Sequence, residues 1–214
     1  MNQRFIIARD ALPYLAVLGI VTALALYAYP LIALIPGILM VFTAFFFRNP
    51  KRIIPSDEKV LVSPADGTVM SISGLYEDRF LKSRGTKVSI FLSIFNVHLN
   101  RCPISGTVKY RSYRPGKMIP AFKSHASEIN EKNYVGIEND SLKVMVTQIT
   151  GFIARRIVCW VGINDAVTRG DLFGLIKFGS CTEIIVPENV EILVKAGQKV
   201  VGGETVIGRL KDEH

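Results

Sequence analysis

Three positions in the sequence carry side chains that could perform acid–base or nucleophilic chemistry. Asp66 lies in the turn-like run Ser63-Pro64-Ala65-Asp66-Gly67, His98 closes an apolar run that starts at Val88, and Ser180 follows Phe178-Gly179. A carboxylate held in a tight turn can orient an imidazole, and that imidazole can take the proton of a serine hydroxyl. Each position alone also fits an ordinary turn, strand end or loop, so the chemistry depends on whether the fold combines them.

The environment of His98 follows from the strand expected to carry it. If one strand runs from Val88 through His98, alternation puts Ile94, Asn96 and His98 on the same face. His98 is then expected at the edge of an aliphatic face, half out of water. A lone histidine in such a place is more often structural than catalytic, so a catalytic role needs support from other parts of the chain.

Metal-dependent chemistry has little support in the sequence. None of the three histidines forms an HxH, HxxxH or HExxH pattern, and none of the three cysteines forms a CxxC pair. The cysteines are expected to stay reduced and to fill small apolar sites. No metal site is therefore predicted.

Composition separates the chain into two parts. It has 214 residues, of which 49% are hydrophobic and 21% charged, with a formal net charge of +8. These values exclude a disordered chain and a small disulfide-bonded scaffold. Ala11–Phe47 contains no charged residue, whereas the chain from Arg48 onward has the composition of a soluble domain. The excess of basic over acidic residues fits attraction to anionic lipid. The sequence has no dense basic run interleaved with aromatic residues, so nucleic acid is not an expected partner.

The uncharged stretch predicts a hydrophobic helical hairpin over residues 1–47. It is too long for one span of about 20 residues and suits two short ones, with a turn near Tyr27–Pro30. Basic residues flank both ends, which by the positive-inside rule places both ends, and the domain that follows, on the cytoplasmic side of the cell membrane. Two alternatives remain open: Pro36-Gly37 could interrupt the second half so that the hairpin only dips into one leaflet, or the hairpin could be buried in a core.

Residues 48–58, with two prolines, are predicted to link the hairpin to a domain over residues 59–214. Strand signals dominate that domain, separated by turn residues at short spacing, which predicts a mainly β fold of barrel or sandwich type. The strand-like segments are Lys59–Val62, Thr68–Ile72, Thr86–Phe95, Gly106–Tyr113, Tyr134–Glu138, Leu142–Ile149, Arg156–Val161, Glu183–Val186, Glu191–Val194 and Glu204–Leu210. Short helices are expected near Ser124–Glu131 or Asp165–Leu172. The glycine-punctuated tail Val194–Gly208 resembles a lipoyl-type β segment.

Several motifs together resemble the phosphatidylserine decarboxylase family, in its short form, which also includes archaeal enzymes acting on archaetidylserine. The motifs occur in family order behind a membrane segment, and the glycine-rich β tail follows them. The residues that carry the resemblance are Phe46-Phe47-Arg48-Asn49-Pro50, Ser63-Pro64-Ala65-Asp66-Gly67, Phe95-Asn96-Val97-His98-Leu99-Asn100-Arg101, Ala126-Ser127-Glu128 with Asn130-Glu131, and Phe178-Gly179-Ser180.

The resemblance implies an enzyme that makes its own cofactor. Ser180 would attack the carbonyl of Gly179, and elimination and hydrolysis would leave a covalent pyruvoyl group derived from Ser180. His98 would be the base for Ser180, and Asp66 would orient His98. The products would be a β chain, Met1–Gly179, and an α chain, Ser180–His214, with dimers of such pairs as a further expectation. The pyruvoyl group would then serve as the electron sink for converting phosphatidylserine in the membrane to phosphatidylethanolamine, with His98 as the proton donor.

One motif departs from the long-form family pattern H-x-x-H-x-P. The matching run here is His98-Leu99-Asn100-Arg101-Cys102-Pro103, so Arg101 stands where the second histidine would be. Any role of that second histidine cannot be transferred to this chain. Asn96, Arg101 and Lys177 remain open candidates for contacts with the phosphate or carboxylate of the substrate.

A binding module is the alternative from a different functional class. The tail rhythm also resembles lipoyl-like carriers and membrane-fusion adaptors, and Lys195 or Lys199 could be taken for a modifiable lysine at a hairpin tip. An adaptor of that type needs a long coiled-coil hairpin, which the sequence lacks. A membrane-anchored carrier or adaptor would remain one intact chain, whereas the decarboxylase would cleave itself.

Overall fold

The computed structural model describes residues 5–117, 119, 129–151, 156–177 and 180–211. It divides into two compact units, Met1–Lys51 and Arg52–His214. The boundary falls inside the segment predicted as a linker, and residues from Arg52 onward belong to the second unit.

The first unit is a helical hairpin whose two ends meet. A 3-10 turn, Arg9–Ala11, leads into α1, Leu12–Ala28, and a turn after Tyr29 leads into α2, Leu34–Phe46. The ends are joined by backbone hydrogen bonds, from Ala8 N to Phe47 O at 2.9 Å and from Asn49 N to Ile6 O. The predicted hairpin and the position of its turn are confirmed.

The two helices differ in the membrane depth that they can cover. Arg9–Ala28 is 20 residues long with a mean hydropathy of 2.0, long and apolar enough to cross a bilayer. At 1.5 Å per residue, the 13 residues of α2 extend only about 20 Å, less than the hydrocarbon core. Pro36 does not interrupt α2, because it lies in the first helical turn, where a missing N–H removes no helical hydrogen bond.

The second unit is mainly β, as predicted. Its strands within the described residues are β1 Val60–Val62, β2 Gly67–Glu77, β3 Ser83–Leu92, β4 Leu99–Arg101, β5 Gly106–Arg114, β6 Lys132–Glu138, β7 Lys143–Ile149, β8 Ile157–Cys159, β9 Ala166–Val167, β10 Leu172–Ile176, β11 Ser180–Pro187, β12 Val190–Ile192, β13 Lys199–Val200 and β14 Val206–Leu210.

These strands form one large and two small sheets. The eight-stranded sheet has the order β13-β2-β3-β11-β7-β6-β5-β9 and curls into a half-barrel. The small sheets have the orders β4-β10-β8 and β1-β14-β12. All the strand pairings are antiparallel. Pairs that are consecutive in sequence, such as β2–β3 and β6–β7, therefore need only short connections.

The core lies on the inner, concave side of the large sheet. Alternate apolar residues such as Ile90, Val146 and Ile184 face inward and pack against Phe173 of β10 and Ile207 of β14. The opposite, outer face carries a smaller apolar cluster of Leu81, Tyr134, Met145 and Ile185. Central strands β7 and β11 are therefore buried on both faces, so polar side chains on them such as Gln148, Thr182 and Glu183 are buried as well.

Two local predictions were wrong. Asp165–Leu172 is not a helix: Ala166–Val167 is a strand, and Thr168–Asp171 is a turn in which Gly170 adopts φ +86°. The other predicted helix, Ser124–Glu131, lies mostly outside the described residues. The strand expected to reach His98 ends at Leu92, because the Asn96 side chain accepts hydrogen bonds from the Ser93 N–H and hydroxyl and closes a turn.

Candidate active site

Ser180 begins β11 with its side chain directed into the interior. It pairs with Leu92 of β3 and is fully buried. Its Oγ has no hydrogen-bond partner among the described residues. A buried hydroxyl without a partner costs about 1–3 kcal/mol, so its position calls for a functional explanation.

His98 is completely buried, not half exposed as the alternation argument predicted. It lies between the Ser93–Asn96 turn and β4, and its own carbonyl accepts a hydrogen bond from Ile176 N at 3.2 Å. Its Nδ1 lies 2.9 Å from the Asn96 carbonyl oxygen. A carbonyl only accepts, so Nδ1 carries the proton of the neutral ring and Nε2 carries the lone pair that a general base needs.

A row of buried polar side chains connects the two strand segments that carry His98 and Ser180. We call it the amide ladder: Asn133 donates to Gln148, Gln148 donates to Asn100, and Asn100 donates to Thr182, at 2.8, 2.9 and 2.9 Å. Asn100 comes two residues after His98, and Thr182 comes two residues after Ser180. Because side chains two apart on a strand share a face, Ser180 faces the same side of its strand as this ladder.

Gly174 of β10 makes room for the ladder. A Cβ at this position would lie 2.6 Å from the Gln148 amide nitrogen and 2.5 Å from the Val158 carbonyl oxygen. The same amide nitrogen also lies 3.3 Å from that carbonyl. The side chains of the ladder therefore form hydrogen bonds with one another inside the core. The neighbouring Ser180 hydroxyl forms none among the described residues.

Asp66 lies in the predicted turn, where an arginine side chain and a backbone N–H hold its carboxylate. Both of its oxygens accept from Arg52 Nη2 at 2.9 Å, and Oδ1 also accepts from Gly202 N at 2.8 Å. Among the described residues, the Asp66 carboxylate thus contacts Arg52 and Gly202, while His98 Nδ1 contacts Asn96. The orienting effect of Asp66 on His98 stays a prediction.

Arg101 connects the Asp66 turn to the strand that follows His98. Its backbone N–H donates to the Pro64 carbonyl, and its side chain donates to the Gly170 carbonyl, both at 2.9 Å. Burial lowers the pKa of Arg101 to about 10, as does the charge of Arg52, while the charge of Asp66 acts in the opposite direction. The residue that replaces the second histidine of the long form therefore lies in the electrostatic field of Asp66.

Several motif residues can be placed only in part. Phe178, Gly179 and Ala126–Glu128 lie outside the described residues. Asn130 is buried and holds the chain on both sides of it, since its amide donates to the carbonyls of Ile119 and Thr150.

Arg52 and Gln148 were not predicted from the sequence as site residues. The available signal for Gln148 was a polar residue among the apolar residues of Val144–Ile149.

Comparison with known proteins supports the resemblance. The family model for phosphatidylserine decarboxylase matches residues 39–208. The chain belongs to the phosphatidylserine decarboxylase family. The matched range includes Asp66, His98 and Ser180, together with the whole amide ladder.

Relatives are similar along nearly the whole chain. A phosphatidylserine decarboxylase proenzyme from Carboxydothermus hydrogenoformans is 54% identical over 99% of this chain and 100% of its own length. One from Symbiobacterium thermophilum is 45% identical over 97% of each chain, and one from Chlorobium phaeobacteroides is 48% identical over 84% of each. The enzyme class predicted from the sequence is thereby confirmed, and the carrier alternative loses its support.

Proposed function

We propose that this enzyme converts phosphatidylserine to phosphatidylethanolamine with a pyruvoyl group that it makes from Ser180. The observation that carries the proposal is the buried Ser180 Oγ, which has no hydrogen-bond partner among the described residues. A hydroxyl held out of water and without a partner suits a nucleophile directed at its own peptide bond. The word proenzyme in the names of the relatives agrees with a precursor that is processed.

Processing begins with attack of Ser180 Oγ on the carbonyl carbon of Gly179, as His98 Nε2 takes the hydroxyl proton. The amide nitrogen leaves that carbon and receives a proton, so an ester replaces the peptide bond. β-Elimination then releases the Gly179 carboxylate and leaves dehydroalanine at position 180. Addition of water and loss of ammonia give the pyruvoyl terminus of the α chain.

His98 is suited to accept the proton of Ser180 because Asn96 fixes the tautomer of its ring. The Asn96 carbonyl holds Nδ1–H, which keeps Nε2 as the acceptor while the ring is neutral. Full burial of the ring excludes water that would compete for the proton. We assign the same Nε2 as the group that returns a proton during decarboxylation.

Asp66 is proposed to act in concert with Arg52 and Arg101. Two bonds from Arg52 and one from Gly202 hold its carboxylate against the turn that Arg101 anchors through Pro64. In this arrangement Asp66 fixes the segment that continues from His98. Asp66 would therefore orient His98 through the backbone of β4 as well as through its charge.

The pyruvoyl group, once formed at position 180, supplies the electron-withdrawing carbonyl that decarboxylation of a serine amine requires. The chain contributes a buried, preorganised surrounding, since the amide ladder links Gln148, Asn100 and Thr182 by hydrogen bonds. A low-polarity site favours loss of a carboxylate as neutral carbon dioxide.

The hairpin is proposed to hold the enzyme at the cell membrane that contains its substrate. α1 with its 3-10 turn is long and apolar enough to cross a bilayer. The basic residues at both ends of the hairpin favour the cytoplasmic side for those ends and for the β domain. The net charge of +8 also favours a bilayer surface that carries anionic lipid.

The direct test is release of carbon dioxide from phosphatidylserine vesicles by purified wild-type enzyme and by Ser180→Ala. Ser89→Ala is a matched control, because Ser89 is a buried serine on the neighbouring strand whose hydroxyl donates to Glu183 on the outer face. We expect full activity in wild type, activity in the control, and none in Ser180→Ala. Activity in Ser180→Ala would refute the pyruvoyl assignment.

A further inference from the structure

The outer face of the eight-stranded sheet contains a cavity of about 430 Å³, which we call the outer cavity. Lys132, Thr147 and Glu183 line its floor on three adjacent strands, and Arg79, Lys87 and Arg114 line its sides. Glu183 lies on the opposite face of β11 from Ser180, because their positions differ by an odd number. The outer cavity is therefore separated from the candidate active site by the sheet.

The β2–β3 connection forms one wall of the outer cavity. The Glu77 carboxylate accepts hydrogen bonds from the backbone N–H groups of Arg79, Phe80 and Leu81, which folds the connection over the sheet. This places the Arg79 guanidinium 4.4 Å from the centre of the Tyr134 ring. The fit is close, since a Cβ on Gly136 would lie 2.7 Å from the Phe80 ring.

Four basic and three acidic side chains line the outer cavity, and the Asp78 carboxylate lies 4.0 Å from Arg79 Nε. Glu77 is occupied by backbone donors, and Glu183 Oε1 lies 3.4 Å from Lys87 Nζ and 3.2 Å from the Ser89 hydroxyl. Within the described part of the chain, neither the Lys132 ammonium nor the Arg114 guanidinium forms an ion pair. Lys132 is nonetheless only 7% exposed, and the charge of Glu183 in the same floor opposes the cost of burying its ammonium.

A buried hydroxyl lies in the same floor as Lys132. Thr147 is 1% exposed, and its Oγ1 has no hydrogen-bond partner among the described residues. It pairs with Glu183 on one side and with Tyr134 on the other, so it lies in the middle of the floor. A buried hydroxyl without a partner and an ammonium without an ion pair, both within the described residues, thus line one cavity, with a guanidinium at its side.

We propose that the outer cavity binds a phosphate group, either as free phosphate or as the phosphodiester of an anionic lipid head group. A phosphate offers several acceptor oxygens and the negative charge that Lys132 and Arg114 lack. The apolar walls formed by Leu75, Met145 and Ile185 leave room for a carbon substituent on the phosphate. Burial lowers the pKa of Lys132 although the charge of Glu183 acts in the opposite direction, so further negative charge would stabilise the ammonium.

The experiment is isothermal titration of the full-length protein, in phosphate-free buffer, with inorganic phosphate and separately with monomeric dihexanoylphosphatidylglycerol. Lys132→Met removes the ammonium and Thr147→Val removes the unpartnered hydroxyl, each with little change of shape. Lys195→Met makes the same charge change on an exposed loop remote from this face. Processing at Ser180 is followed in every sample, so that a folding defect is recognised independently of binding.

We expect saturable binding of at least one probe by wild type and by Lys195→Met, about tenfold or more weaker binding by Lys132→Met, and several-fold weaker binding by Thr147→Val. The probe that binds more tightly identifies the source of the phosphate. Should Lys132→Met fail to fold, Thr147→Val decides, because it removes a hydroxyl that has no partner. Absence of saturable binding, or equal affinity in Thr147→Val and wild type, would overturn the proposal.

Discussion

Buried polar groups are accommodated differently on the two faces of β11. On the inner face, Thr182 belongs to a neutral amide ladder whose hydrogen bonds are made within the chain. On the outer face, Glu183 belongs to a charged cluster in which Lys132 and Arg114 form no ion pair within the described residues. Neutral groups tolerate a dry interior when every partner is present, whereas charges are kept where an ion or water can reach them.

The same difference distinguishes the hydroxyls of Ser180 and Thr147, neither of which has a hydrogen-bond partner among the described residues. Ser180 lies next to a hydrogen-bonded network, and its missing partner among the described residues supports our proposal that it is the reacting group. Thr147 lies beside Lys132 in a cavity, and its missing partner among the described residues supports the proposed ligand. The following substitutions test the inner and outer faces against each other.

The largest effect is expected from His98→Gln on the inner face. Loss of the general base should slow cleavage between residues 179 and 180 by about 10²–10⁴-fold. The rate is measured by pulse-labelling in a cell-free translation reaction and following the precursor on gels. Cleavage of His98→Gln at the wild-type rate would remove His98 from the processing step.

Gln148→Leu should cause the largest loss of stability. It leaves Asn133 and Asn100 without their partners in a dry core, at an expected cost of about 2–4 kcal/mol in the free energy of unfolding. Urea unfolding is compared in a Ser180→Ala background, so that every chain is whole. Thr147→Val, one residue away on the outer face, is the control and should cost almost nothing; equal losses would contradict the distinction between the faces.

Arg52→Met should lower stability by about 1–3 kcal/mol, because it leaves the Asp66 carboxylate with a single hydrogen bond from Gly202. The side chains of this pair are only 10% and 15% exposed. Arg209→Met breaks an exposed pair with Asp57 at 2.8 Å and should cost less than about 1 kcal/mol. Similar losses for the two variants, measured by urea unfolding, would show that the Asp66 pair is merely a surface ion pair.

Lys132→Met should change stability least and should stabilise the protein in phosphate-free buffer. Burial lowers the pKa of Lys132, so its charged form is penalised in the folded state at neutral pH. The advantage of Lys132→Met should shrink as pH rises through that lowered pKa, because the wild-type ammonium then loses its proton. Urea unfolding across this pH range checks the sign; a constant or growing advantage would mean that the ammonium is not penalised.

Periodicity and turn residues predict most of the architecture. Hydrophobic runs locate the hairpin and most strands because burial acts on contiguous residues. Hydrophobic runs do not predict the turns at Gly170 and Asn96. A glycine with positive φ forms the first turn, and a side-chain hydrogen bond closes the second. The short strand β10 was also missed, since a buried strand and any other apolar run have the same pattern.

The candidate site could be predicted only as residues, not as contacts. Ser180, His98 and Asp66 were identified from motifs, but the partners of Asp66 come from positions 52 and 202, far apart in sequence. The amide ladder likewise joins β6, β7, β4 and β11, so no local window contains it. Such partners are set by sheet order and register, which a single sequence leaves undetermined.

The most direct test of the central claim is the intact mass of purified wild-type protein beside Ser180→Ala. We predict that wild type yields two chains, Met1–Gly179 and an α chain lighter by one ammonia than a peptide starting with Ser180. Ser180→Ala should remain one chain of 214 residues. A folded wild-type protein that stays whole and unmodified would contradict self-processing and remove the source of the pyruvoyl group.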